Sequence, residues 1–166
     1  MIRMNHLVAA TALTGFVLSL IVHVAAILGI DVSTRIPSIW LLHVGVFVVW
    51  IPLVLSIRKV FGPRLTFVQV CAALPGWVVA LGTVVFVYVA VNFLYTFATD
   101  GGSPAIVDGA FVLEAHGRVV RELTAAEYTE LRAKSVRGFS GHWLAFYYMA
   151  FAYFMFRREA DSSTRP

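Results

Sequence analysis

The sequence predicts an all-α integral membrane protein: a four-transmembrane-helix bundle with a small extracytoplasmic β-hairpin plus helix insert between spans three and four. Three observations point there. Of 166 residues, 60% are hydrophobic and only 13% are charged, against about 45–50% and about 25% in an ordinary soluble domain. The apolar residues fall into runs of the length, about 20 residues, that a bilayer core demands of a helix. One stretch, residues 99–138, breaks this pattern with charged and turn-forming residues.

The first span is expected over about 7–30. Arg3 followed by a long apolar run resembles a signal peptide, but the run exceeds the usual 7–15 residues and no A-x-A site follows it. An uncleaved helix is the expectation. The second span, about 39–57, starts after DVSTRIPS, where Pro37 suits a first helical turn; Pro52 would kink it. Then comes RKVFGPRLTFVQVCAAL. Residues 64–74 form either an interfacial helix or an extension of the third span, about 75–98. The fourth span is expected over about 139–156, with Ser140 as its N-cap. The polar tail, 157–166, is expected to be disordered.

Lysine and arginine placement sets orientation. With the N-terminus inside, the inner pieces carry Arg3, Arg58, Lys59, Arg64, Arg157, Arg158 and Arg165, and the first outer loop carries only Arg35. The insert carries five basic and six acidic residues, so charge does not hold it inside. Both termini are therefore expected to be cytoplasmic, with the insert periplasmic or extracellular. The net charge of +4 belongs to this topology and gives no reason to expect nucleic acid. Trp40 and Trp143 are expected in an interfacial belt. The lone Cys71 excludes an internal disulfide and a CxxC pair.

Within the insert, TDGGSPAIVDGA reads as a connector. The β-prone runs Phe111–Ala115 and Arg118–Leu123 flank His116-Gly117, a two-residue turn, and predict a hairpin. Thr124 and Glu127 have capping-box spacing for a helix start. Arg132, Lys134 and Arg137 suit its negative C-terminal end, and Gly138 is the expected C-cap. An interaction surface would involve His116, Arg118, Arg121, Glu127, Tyr128 and Arg137.

Each predicted span supplies one strong hydrogen-bonding side chain at a similar depth: His23, His43, Asn92 and His142, on the order of 5–10 Å below the outer ends at the helical rise. Gly15, Ser19 and His23 share a helix face, as do Tyr88, Asn92 and Thr96. If His23, His43 and His142 converge, with Asn92 or His116 nearby, the layer would take a transition metal or a haem. No H-E-x-x-H or C-x-x-C-H motif accompanies them. Structural hydrogen bonding is the competing account. Glu114, Glu122, Glu127 and Glu130 pair with no legible nucleophile, so no catalytic residues are expected.

At HGRVVREL, EY and RGFSGHW, with a looser likeness at IWLLHVGVFVVWIP, the chain resembles an uncharacterised family of small bacterial four-span inner-membrane proteins. The resemblance implies a bacterial inner-membrane location and carries no activity or functional residue with it. The expected role is a non-enzymatic accessory protein in the bilayer that meets a membrane or periplasmic partner, or another copy of itself, through the insert. The alternatives are a membrane redox protein built on the histidines and a small channel or transporter subunit.

Overall fold

The computed structural model describes residues 2–62, 64, 66–99 and 101–158. Helix α1 spans Ile2–Ile27, a short α2 spans Val32–Arg35, and a 3₁₀ turn at Pro37–Trp40 leads into α3, Leu41–Phe61. A six-residue α4, Phe67–Ala72, precedes α5, Gly76–Thr99. Strands β1, Ser103–Val107, β2, Ala110–Ala115, and β3, Arg118–Glu122, form one sheet, and α6 runs from Ala125 to Phe156. Three helical stretches, Met4–Ile27, Pro37–Phe61 and Gly76–Thr96, are long and apolar enough to cross a membrane.

Local chemistry sets the ends. Helix α1 stops three residues earlier than expected because Gly29, at φ +77, closes it. The Gly29 and Ile30 amides donate back to the Ala26 and Ala25 carbonyls, the Schellman pattern that a left-handed glycine makes possible. Residues 67–72 are a separate helix, not an extension of α5. Thr66 and Gln69 form a capping box at its start. Phe67 and Val68 are exposed. Asp100 of the expected connector and the part of the expected disordered tail beyond Arg158 lie outside the described residues.

The insert differs from expectation in two ways. Its connector is a strand: β1 pairs antiparallel with β2, Val107 opposite Ala110, and β2 pairs with β3. Both turns have two residues, and both central positions have positive φ: Asp108 +50 and Gly109 +82, His116 +54 and Gly117 +75. That geometry matches the right-handed strand twist. Asp-Gly is itself a strong hairpin signal, so β1 was legible from residues 108–109. A register shift between Leu113 and Glu114 leaves Val120 as a bulge on β3.

The second difference is α6. No break separates an insert helix from a fourth span; one 32-residue helix, about 48 Å long at the α-helical rise, serves as both. Thr124 and Glu127 do form the expected capping box at its start. Gly138 is not a C-cap and Ser140 is not an N-cap. A Cβ on Gly138 would lie 3.0 Å from Thr96 Cγ2, and one on Gly141 2.8 Å from Asn92 Nδ2. These glycines let α5 approach α6 closely, the usual role of small residues between apolar helices.

Helix α6 is the centre of the fold, packed most extensively on α1, then on α5 and α3. Tyr147 fills a notch made by Gly15 of α1 and Gly45 of α3, and its hydroxyl donates to the Leu42 carbonyl at 2.7 Å. Trp143, expected in an interfacial belt, is fully buried; Trp40 stacks edge-on against it with centroids 5.8 Å apart. The central position explains why residues 139–156, with Ser140, His142, Trp143 and three tyrosines, are less apolar than the other long helices. They face protein.

Candidate functional site

Two features stand out: a polar belt through α1, α5 and α6, and the sheet carried on the polar half of α6. The belt is built on His23. Its Nδ1 lies 2.8 Å from Ser140 Oγ and its Nε2 2.5 Å from Tyr88 Oη. Ser140 Oγ donates to the Arg137 carbonyl at 3.2 Å. Asn92 Nδ2 donates to the same carbonyl at 3.2 Å. In return, Arg137 Nε donates to Asn92 Oδ1 at 2.7 Å, and the guanidinium sits 5.1 Å from the centre of the Tyr95 ring. Thr96 Oγ1 donates to the Asn92 carbonyl at 2.9 Å. His23, Asn92, Thr96 and Ser140 are all buried. Buried polar groups cost free energy unless bonded, and these satisfy one another across three helices.

His23 and Asn92 therefore meet at one place, over Gly141. The other two residues of the expected layer turn elsewhere. His43 is exposed and its Nδ1 accepts from Trp143 Nε1 at 3.0 Å. His142 Nδ1 pairs with the Gly138 carbonyl at 2.9 Å, and its ring stands edge-on to Phe93, centroids 4.9 Å apart. Among the described residues, no three His, Cys, Asp or Glu side chains come together to hold a metal ion. The expected joint site of His23, His43 and His142 is not assembled, because equal depth along helices does not fix rotation about their axes. His116 sits at the exposed hairpin turn. The belt members that depth reasoning left out, Tyr88, Ser140 and Arg137, were legible only as the four-residue stripe from Tyr88 to Asn92 and as polar residues flanking the small pair Gly138 and Gly141.

The sheet is anchored by its own contacts. Phe111 of β2 stacks on Tyr128 of α6, centroids 4.6 Å apart. Arg121 pairs with Glu127 at 2.8 Å. The Glu127 carboxyl is held down to about 2 by the Thr124 backbone amide and hydroxyl and by Arg121. Arg132 reaches the loop between α1 and α3: Nη2 donates to Ser33 Oγ at 2.9 Å, and Nε lies 3.6 Å from Asp31 Oδ2. Burial pushes the Asp31 carboxyl up, but Ser33 and Thr34 hydrogen bonds, helped by Arg132, hold it below its ordinary value. Of the residues expected at an interaction surface, His116, Arg118 and Arg121 are exposed. Glu127, Tyr128 and Arg137 make the internal contacts just described. Strand β3 is exposed along its whole length.

The fold and these contacts define a mostly helical protein with three membrane-crossing-length apolar helices around or beside a central one, and a small sheet at one end. Comparison with protein-family models, with curated proteins and with solved structures finds no match to this chain.

Proposed function

We propose that the chain is a four-span protein of the bacterial inner membrane, with both termini cytoplasmic, that works as an interaction module: it holds the three-stranded sheet at the outer surface for a membrane or periplasmic protein partner. The observation that carries this reading is the continuity of α6. One helix is both the core of the bundle and the platform for the sheet, and Arg132 ties that platform to the 31–35 loop. The sheet is thus held in a fixed pose instead of hanging on a flexible linker. The exposed edge strand β3 offers Arg118, Val119 and Arg121, while the Val120 bulge discourages indiscriminate strand pairing at that edge.

Support for the fourth span comes from the burial of most of residues 140–153 of α6 among apolar helices. Support for the orientation comes from Arg58, Lys59, Arg157 and Arg158 at the end of the bundle where α4 lies; the Arg158 amide donates to the Ala73 carbonyl at 2.9 Å.

A photocrosslinking residue at Val119 tests the role in living cells, with one at Leu55, on the apolar surface of α3, as control. Discrete protein adducts are expected from Val119 and not from Leu55. An equal, lipid-only pattern at both positions would overturn the proposed role.

A further inference from the structure

The indole N–H of Trp143 is a donor and nothing else. Trp143 is fully buried, so this group must find its acceptor inside the protein. It finds His43 Nδ1, at 3.0 Å, across the contact between α3 and α6. The indole cannot take the other role, so the direction of the bond is fixed. Nδ1 accepts and therefore carries no proton, and the neutral ring holds its proton on Nε2.

His43 is the exposed partner, in the first turn of α3. Phe47 of its own helix, and Phe139 and Trp143 of α6, stand edge-on to the imidazole with centroids 6.2, 6.2 and 6.3 Å away. Trp40, on the turn before α3, stands edge-on to Phe139 and Trp143 at 5.3 and 5.8 Å. The rings that meet His43 from α3 and α6 carry no charge, and none of them titrates. Among the described residues, no carboxylate pairs with His43, so an imidazolium gains no ion pair there.

We propose that the His43–Trp143 bond is a proton-sensitive latch: it holds the Trp40 end of α3 on α6 and opens when His43 is protonated. In the imidazolium both ring nitrogens are donors. Neither orientation of the ring then offers the indole an acceptor, and a buried N–H is left unmatched at Trp143. The imidazole must turn away, and the aromatic cluster around it loosens. The change stays local. One turn further along α6, Tyr147 keeps its hydrogen bond to the Leu42 carbonyl, an acceptor that does not change with pH. Histidine side chains change charge between about pH 5 and 8, so mild acid operates the latch. Which side of the membrane supplies the proton rests on the orientation proposed above; the latch itself does not.

The test follows the indole N–H groups of the full chain in mild detergent by nuclear magnetic resonance, assigned through single Trp→Phe replacements. Hydrogen exchange is measured from pH 8 to pH 5 and corrected for the intrinsic rate at each pH. The protection of the Trp143 indole is expected to fall about fivefold to a hundredfold on acidification, the value of one buried, unmatched N–H. Trp50 is the internal control, because its Nε1 donates to the Phe146 carbonyl and should keep its protection. His43→Gln, which supplies an uncharged carbonyl acceptor, should hold Trp143 protected at both ends of the range. His142→Gln should leave the wild-type response in place. Constant protection of Trp143 in the wild-type chain overturns the proposal, as does a fall that persists in His43→Gln. An equal fall at Trp50 also overturns it, since the whole bundle would then be opening. Detergent removes sidedness, so a failure here overturns the latch and leaves the proposed orientation standing.

Discussion

At the scale of single residues, the belt shows how buried polar groups hold apolar helices together. Between helices in a bilayer there is no hydrophobic gain to be had, so close packing and interhelical hydrogen bonds carry association. Gly141 controls both. It admits Asn92 and His23 to the same spot, and a side chain there meets Asn92 Nδ2 at 2.8 Å. Gly141→Val is therefore expected to destabilise the bundle by about 1–3 kcal/mol through overpacking, beyond the cost of the displaced hydrogen bonds. Ser140→Ala, which removes one partner of His23 and no volume that others need, is expected to cost about 0.6–2 kcal/mol. Thermal unfolding in detergent should rank the two in that order; equal or inverted effects would show that the close approach of α5 to α6 is not limiting.

At the scale of elements, the start of α6 depends on a single carboxylate. Glu127 serves the capping box and the Arg121 pair at once, and its pKa in the folded protein, about 2, lies below the ordinary glutamate value of 4.5. A carboxyl with a lowered folded value stabilises the fold fully above its unfolded value and loses that contribution as pH falls through the folded one. The protection of amides 127–129, their exchange corrected for the intrinsic rate at each pH, is therefore expected to hold at neutral pH and to fall between about pH 4.5 and 2. Glu127→Gln should make the same amides exchange faster at pH 7 and flatten the acid response. A pH profile identical in both chains would remove Glu127 from the role. The insert as a whole was partly legible. His116-Gly117 gave the second hairpin, and Asp108-Gly109 carried the same signal for the first, yet composition made 98–109 look like a connector. The unbroken α6 was not legible. Gly138 and Gly141 look like helix punctuation in a sequence, and only the nearness of Thr96 and Asn92 reveals them as contact points.

At the scale of the whole molecule, α6 links the bilayer-sized bundle to the sheet, and the orientation proposed for it can be read directly. In a Cys71→Ser background, His116→Cys is expected to react with a membrane-impermeant maleimide on intact cells. Wild-type Cys71, in α4, should react only after permeabilisation. The opposite pattern would reverse the topology and put the sheet in the cytoplasm.

The sequence by itself determined the membrane-length helices, the charge asymmetry at their ends, the capping boxes and the second hairpin. Each of these depends on neighbours a few residues apart along the chain, where helical and strand periodicities apply. It also set the depth of His23, His43, Asn92 and His142, because rise per residue is fixed. Only the tertiary structure decided which of them meet. Rotation about each helix axis, set by Tyr147 in its glycine notch and by the glycines of α6, brought His23 to Tyr88, Ser140 and the Asn92 side of the belt. The same rotations left His43 with Trp143 and His142 with Gly138 and Phe93.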